Sequence, residues 1–133
     1  MAASLHRILV VEDETDIQNL LKISLARPGG FEVEVCSDGK QALAAIARHT
    51  PDLILMDMNM PTWSGLTVLR VLRKEPQTAA IPVIFLTAQS HEMNQQAQLP
   101  GVLGIIPKPF VPRNLISLIQ TMWQKATPPG CLT

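Results

Sequence analysis

The chain has 133 residues, 47% of them hydrophobic, which is typical of one domain with a single two-sided core. Eleven basic residues balance eleven acidic ones without a basic stripe, which argues against nucleic acid as a direct partner, because phosphate binding needs concentrated positive charge. No apolar run approaches the roughly 18 residues that a membrane helix needs, and residues 1–7 lack the apolar core of a signal peptide, so we expect no membrane association and a cytoplasmic location.

The first two predicted elements are a buried strand and an amphipathic helix. Residues 7–11 form a β-branched apolar run, which predicts a strand, and this run ends abruptly at Glu12 and Asp13. From Thr15 the apolar spacing becomes that of a helix, which Pro28 and the two following glycines terminate. The predicted inner face of this helix consists of Ile17, Leu20, Leu21, Ser24 and Leu25.

Two further strands flank a second helix. Residues 31–35 alternate apolar and charged side chains, as an edge strand or a half-covered strand does. Asp38 is a suitable N-cap for an Ala-rich helix, and the residues predicted to face the core are Leu43, Ile46 and Ala47. Residues 52–57 place an apolar run between two carboxylates, which predicts a strand buried on both faces that ends in Asp57.

A third helix and a fourth strand come next. Ser64 can cap a helix that is broken near Pro76 and carries apolar residues at helical spacing, namely Leu66, Leu69 and Leu72. Residues 81–87 predict another buried strand, and this one ends in a hydroxyl, that of Thr87.

The last third of the chain contains two predicted helices around a short strand. Residues 90–99 predict a polar helix and residues 102–106 a strand, which Pro107 follows. Because proline cannot donate to a ladder, this strand should lie at the edge of the sheet. Pro112 then opens a helix with an inner face of Leu115, Ile119 and Met122.

Together these elements predict one sheet with a common functional edge. Five strands alternate with five helices, and parallel strands joined this way need right-handed crossovers, which gives a doubly wound α/β sandwich. Ligands of such sheets bind at the carboxyl ends of the strands. We therefore expect one crevice to bring together the residues that follow the strands, which are Glu12, Asp13, Asp57, Thr87 and Lys108.

The chemistry of this set favours a metal ion and a phosphoryl group. Three packed carboxylates stay ionised only if a cation joins them, because they repel one another and lose solvent. Oxygen ligands without His or Cys favour Mg²⁺, particularly where phosphate oxygens complete the shell. A carboxylate can attack phosphorus to form an aspartyl phosphate, while an ammonium and a hydroxyl stabilise the transferring oxygens. Asp57 is the best nucleophile because it alone ends the central strand.

Each residue alone has a simpler interpretation. Glu12 and Asp13 could be solvated residues that simply stabilise the start of a helix. Thr87 could cap a strand end, and Lys108 could be a surface lysine. Their joint occurrence at successive strand ends is what supports the functional interpretation.

Taken in order, these motifs resemble the receiver domain of bacterial two-component response regulators. The resemblance covers residues 7–124 and rests on Glu12-Asp13, on Asp57 to Pro61 with the later Gly65, on Thr87-Ala88, and on Lys108-Pro109-Phe110. It implies a flavodoxin-like (βα)5 fold with a five-stranded parallel sheet of strand order 2-1-3-4-5. It also implies that phosphorylation switches partner binding.

The resemblance assigns roles to individual residues. Asp57 would be the phosphoacceptor, served by a sensor histidine kinase or a phosphotransfer protein. Lys108 would pair with the phosphoryl group, and Thr87 would hydrogen-bond one of its oxygens. The implied Mg²⁺ ligands are Glu12, Asp13, Asp57 and the backbone carbonyl of Asn59.

One feature of the family is missing, and two other functions stay open. The aromatic residue usual on the final strand is replaced by Ile105, so any switch would use backbone or loop movement. This absence favours a phosphorylation-independent interaction module. A Mg²⁺-dependent phosphatase would need a second acid where Asn59 stands, which disfavours it.

The expected organisation is a stand-alone receiver domain over residues 1–126 and a disordered tail over residues 127–133. Its catalysis would be limited to taking up a phosphoryl group and hydrolysing it slowly. An unidentified downstream protein would receive the signal, and a homodimer is a further option.

Overall fold

The computed structural model describes residues 5–26, 30–58, 60, 63–87, 101–108 and 110–126. The strands are β1 (Arg7–Val11), β2 (Glu32–Cys36), β3 (Leu53–Asp57), β4 (Val83–Thr87) and β5 (Val102–Pro107). The described helices are α1 (Thr15–Ala26), α2 (Gly39–Arg48), α3 (Gly65–Lys74) and α4 (Pro112–Ala126). The predicted helix over residues 90–99 and the predicted tail over residues 127–133 lie outside the described residues.

All five strands are parallel and form one sheet in the order β2-β1-β3-β4-β5. This order confirms the predicted doubly wound architecture and places β3 at the centre. The edge positions predicted for β2 and for the strand that ends at Pro107 are also confirmed. The carboxyl ends of β1, β3 and β4 are therefore neighbours.

The core has two halves, one on each face of the sheet. Successive side chains of a strand point to opposite faces, so Met56 and Phe85 pack with α2 and α3, whereas Leu55 and Leu86 pack with α1 and α4. Burying one such side chain stabilises the fold by about 2 kcal/mol. A slip of one residue would reverse the faces, so packing fixes the register and the position of each strand end.

Two helices begin at the caps that the sequence predicted. The side chain of Asp38 accepts a hydrogen bond from the Gln41 N–H at 2.8 Å, and Ser64 Oγ accepts one from the Thr67 N–H at 3.2 Å. Each bond satisfies a backbone donor that the first helical turn leaves open. None of the described helices is long and apolar enough to cross a membrane.

The helix faces differ from prediction at two positions. Leu20 of α1 is 39% exposed, and the buried residues of α1 are Leu21, Ser24 and Leu25. In α2 the predicted inner residue Ala47 is exposed, whereas the residues buried beside Ile46 include Ala42 and Ala45. An alanine-rich helix offers little hydrophobic contrast around its circumference, so spacing alone misplaced the inner stripe.

Three strands begin later than predicted: β3 begins at Leu53 instead of at residue 52, and turn hydrogen bonds hold the residues before the other two. The Phe31 N–H donates to the Leu25 carbonyl at 3.2 Å, which leaves Glu32 as the first residue of β2. The Ile81 N–H donates to the Thr78 carbonyl at 3.2 Å, and β4 starts at Val83.

Candidate functional site

Three acidic residues meet at the carboxyl edge of the sheet. Val11 of β1 pairs with Met56 of β3, so the residues that follow them, Glu12 and Asp57, lie side by side. Carboxylate oxygens of Glu12, Asp13 and Asp57 all lie within 4.8 Å of one another. Glu12 is fully buried and Asp57 is 4% exposed, whereas Asp13 is half-buried, so two of the three carboxylates lie out of contact with bulk solvent.

Lys108 reaches this cluster from the end of β5. Its Nζ lies 2.7 Å from Glu12 Oε1 and 3.3 Å from Asp57 Oδ2. The backbone aims the side chain, because the Lys108 N–H donates to the Thr87 carbonyl at 2.8 Å and prolongs the pairing of β4 with β5. One ammonium thus contacts two carboxylates that follow or end different strands.

Thr87 ends β4, the strand next to Asp57. Leu86 pairs with Asp57 and Thr87 pairs with Pro107, so the hydroxyl-bearing residue stands between the ends of β3 and β5. Thr87 is 1% exposed. The structure therefore places this predicted residue at the same edge of the sheet as Asp57 and Lys108.

The pKa values of both groups in the Lys108–Glu12 ion pair are raised, for different reasons. Loss of solvent raises the pKa of Glu12 to about 7, although the hydrogen bonds from Lys108 and from the Glu14 N–H oppose this rise. Burial alone would lower the pKa of Lys108, but the hydrogen bond to Glu12 and the charge of Asp57 outweigh it and raise that pKa. The lysine therefore stays charged at neutral pH, and Glu12 is close to its titration point.

The cluster suits a divalent cation. When all groups are ionised, three carboxylates and one ammonium leave an excess of two negative charges in a region with little solvent. The donors are oxygens only, which is the set that Mg²⁺ prefers. Glu12, Asp13 and Asp57 could therefore hold Mg²⁺, whereas the other predicted ligand, the carbonyl of Asn59, lies outside the described residues.

Gly65 is required by the close approach of α3 to the acidic cluster. Its N–H donates to the Met58 carbonyl at 3.0 Å. A Cβ at this position would lie 2.7 Å from the Asp57 carbonyl oxygen and 3.0 Å from Met58 Cα. Only glycine lets the start of α3 support the segment that carries Asp57.

Gln18 is a residue near the site that sequence reasoning missed. From the end of the first turn of α1, its Nε2 donates to the Glu12 carbonyl at 2.5 Å and to Ser37 Oγ at 3.1 Å. A polar residue on the flank of a helix gives no periodic signal, and a backbone carbonyl as its partner is invisible in a sequence. The short distance between Gln18 and Glu12 along the chain is the only available clue.

Comparison with known proteins agrees with this geometry. The sequence model of the response regulator receiver domain matches residues 8–120. The DNA-binding response regulator MtrA of Mycolicibacterium paratuberculosis is 37% identical over 116 residues, which are 86% of this chain and 50% of that protein. The phosphate regulon transcriptional regulatory protein PhoB of Pseudomonas aeruginosa is 35% identical over 122 residues, which are 91% of this chain and 53% of that protein. The chain thus spans about half the length of these relatives.

Solved structures include chains of similar length. The chemotaxis response regulator CheY4 of Vibrio cholerae superposes with a TM-score of 0.81 at 31% identity, covering 90% of this chain and 99% of that one. A response regulator from Chloroflexus aurantiacus gives a TM-score of 0.79 at 29% identity, covering 90% and 98% of the two chains. Both sequence and fold therefore point to the same family.

Proposed function

The chain belongs to the family of response regulator receiver domains, and from this premise we propose that Asp57 accepts a phosphoryl group and thereby switches the binding of a partner protein. Members of this family are phosphorylation-dependent signalling domains of two-component systems and not conventional enzymes. The observation that carries the proposal is the setting of Asp57. Its carboxylate is buried at the end of the central strand, and Lys108 Nζ lies 3.3 Å from one of its oxygens.

In the proposed reaction a carboxylate oxygen of Asp57 attacks the phosphorus of a phosphodonor. A new O–P bond forms, the bond from phosphorus to the donor's leaving atom breaks, and the leaving group departs with the bonding electrons. Lys108 Nζ already contacts Asp57, so its positive charge is in place to stabilise the transferring oxygens. Thr87, on the adjacent strand end, supplies a hydroxyl to the same group. Attack of water on the phosphoryl group later restores the free carboxylate.

We further propose that the acidic cluster holds Mg²⁺ through Glu12, Asp13 and Asp57, with the carbonyl of Asn59 as an additional ligand. Bound Mg²⁺ neutralises negative charge on phosphoryl oxygens. The support for this assignment is the excess of two negative charges among oxygen donors that lie within 4.8 Å of one another. Glu12 must lose its proton to contribute fully, since its pKa lies at about 7.

The partners follow from this chemistry. A sensor histidine kinase or a phosphotransfer protein is the proposed phosphodonor, and a downstream protein or a second copy of the chain receives the signal. The proposed receiver domain comprises residues 1–126 and acts in the cytoplasm. The relative MtrA is named as DNA-binding, but the chain spans only half of that protein and its charges balance, so direct binding to nucleic acid is not proposed.

The proposal is tested by incubating the protein with acetyl phosphate and MgCl₂ and measuring its intact mass. We expect the gain of one phosphoryl group, which EDTA prevents and Asp57→Asn abolishes. Asp16→Asn removes an exposed acid from α1 and is the matched control, which should be phosphorylated like the wild type.

Two results would contradict the proposal. Phosphorylation that persists in Asp57→Asn would move the acceptor to another residue. No mass gain in the wild type at millimolar acetyl phosphate would instead favour the interaction module that works without phosphorylation.

A further inference from the structure

We infer that Gln18 is a positioning residue for the proposed Mg²⁺ site, acting by holding the Glu12 carbonyl and thereby the orientation of the adjacent Asp13. This inference rests on the proposed metal site and adds a residue from α1 that is not itself a ligand. The two hydrogens of the Gln18 amide are both used, one toward the Glu12 carbonyl and the other toward Ser37 Oγ.

The N–H, the carboxylate and the carbonyl of Glu12 all form hydrogen bonds. Its N–H donates to the Cys36 carbonyl at 3.0 Å. Its carboxylate accepts a hydrogen bond from Lys108 Nζ at 2.7 Å and another from the Glu14 N–H at 3.1 Å. Gln18 binds the remaining group, the carbonyl. The Glu12 carbonyl belongs to the peptide unit that leads into Asp13, so this contact restrains the rotation that would move Asp13.

Asp13 depends on this restraint more than the other two acids do. Glu12 and Asp57 are buried and contact Lys108, whereas Asp13 is half-buried. Its carboxylate nevertheless lies within 4.8 Å of those of Glu12 and Asp57. Among the described residues, Asp13 does not share the ion pairs of Lys108, so its orientation depends more on its backbone. Groups that orient metal ligands contribute measurably to metal affinity.

The other contact of Gln18 anchors it to a separate part of the fold. Ser37 follows β2, and its N–H donates to Gln41 Oε1 at 2.9 Å, while the Gln41 N–H donates to the N-cap Asp38. Gln18 therefore joins the acidic segment after β1 to the capped start of α2. Its amide thus stands at the end of a chain of hydrogen bonds that leads to Asp38.

The test compares Gln18→Met with the wild type. Methionine is of similar length and has no N–H donor. We expect the dissociation constant for Mg²⁺, measured by isothermal titration calorimetry, to rise roughly tenfold. Asn19→Met, at the neighbouring exposed position, is the matched control and should bind Mg²⁺ like the wild type. Ser37→Ala keeps the bond to the Glu12 carbonyl and should have a smaller effect than Gln18→Met.

Thermal unfolding separates a positioning role from a merely structural one. A structural role would lower the Tm of Gln18→Met equally in EDTA and in MgCl₂. A positioning role shrinks the rise in Tm that MgCl₂ produces in the wild type, and raises the Mg²⁺ concentration for half-maximal phosphorylation while the rate at saturating Mg²⁺ is kept.

Unchanged Mg²⁺ affinity in Gln18→Met would overturn this inference and leave the proposed function intact. Equal losses of affinity in Gln18→Met and Asn19→Met would also overturn it. Absence of Mg²⁺ binding by the wild type would overturn the proposed metal site together with the inference.

Discussion

Lys108 and Glu12 are 96 positions apart in the chain, and Lys108 Nζ lies 2.7 Å from Glu12 Oε1. Glu12 is fully buried, so the ammonium compensates for the solvent that its carboxylate has lost. The same Nζ lies 3.3 Å from Asp57 Oδ2. One cation therefore joins the ends of three strands and makes the stability of the fold depend on the charges of the candidate site.

Replacing Lys108 by Met should destabilise the fold more at about pH 8 than at about pH 5.5. Burial raises the pKa of Glu12 to about 7, and loss of Lys108 removes the hydrogen bond that opposes this rise. Because the pKa of Glu12 is higher in the folded than in the unfolded state, its contribution to stability is full at low pH and is lost as the pH rises through the folded pKa. We expect the extra loss at the higher pH to be about 2 kcal/mol, measured by urea unfolding in EDTA.

Lys125→Met is the control for this variant, because Lys125 is exposed on α4. It should change the free energy of unfolding by less than about 0.5 kcal/mol at either pH. Equal destabilisation of Lys108→Met at both pH values would show that the ammonium contributes packing and not charge compensation.

Mg²⁺ should stabilise the folded protein through the acidic cluster, and Asp13→Asn should weaken this effect. Binding of an ion to the folded state alone raises Tm by an amount that increases with the logarithm of the ion concentration divided by its dissociation constant. Asp13→Asn removes one negative charge from the cluster, so we expect the affinity for Mg²⁺ to decrease roughly tenfold or more. Glu14→Gln is the matched control, since the Glu14 side chain is exposed and only its N–H contacts Glu12.

The affinity for Mg²⁺ should also fall as the pH decreases through about 7. Protonated Glu12 adds no negative charge, and burial raises the pKa of Glu12 to about 7. Calorimetric titrations with MgCl₂ above and below this pH test the relation. An affinity that is flat across neutral pH would mean that Glu12 contributes nothing to the binding of the ion.

Cys36 should be inert toward alkylation in the folded protein. Burial, with the neighbouring Glu34 carboxylate, raises the pKa of the Cys36 thiol from 9.0 to about 11, so the reactive thiolate is about a hundredfold rarer than in the unfolded chain at the same mildly basic pH. In a Cys131→Ser background Cys36 is the only thiol. Its reaction with iodoacetamide, followed by intact mass, should be slow in buffer and fast in urea.

A control moves the thiol to the next position. Cys36→Ser combined with Ser37→Cys places it at an exposed residue, where it should react in buffer almost as fast as in urea. If Cys36 reacted equally fast in buffer and in urea, the end of β2 would have to open readily to solvent.

Sequence patterns predict the strands and the edge of the sheet on which the candidate site lies, but they do not predict individual side-chain contacts. Apolar runs at residues 7–11 and within residues 52–57 predict buried strands, and the carboxyl edge of a parallel sheet is then expected to bring Asp57 and Lys108 together. The inner face of α2 was misplaced onto Ala47, because alanine contrasts weakly with its neighbours. The contact of Gln18 with the Glu12 carbonyl leaves no periodic pattern in the sequence, since it joins a side chain to the backbone.

Gly65→Ala should destabilise the protein, although Gly→Ala in a helix usually stabilises it by up to about 1 kcal/mol. The new Cβ would lie 2.7 Å from the Asp57 carbonyl oxygen and 3.0 Å from Phe85 Cε1. Backbone cannot yield as a flexible side chain does, so we expect the free energy of unfolding, measured in urea, to fall by about 2 kcal/mol and the phosphorylated fraction to be lower.

In the control Gly104→Ala, the new Cβ meets the end of Met122, with Sδ at 2.7 Å. That flexible side chain can move, so the free energy of unfolding of the control should fall by less than about 1 kcal/mol. Equal decreases in the free energy of unfolding of both variants would contradict the view that Gly65 is required by its contact with the segment of Asp57.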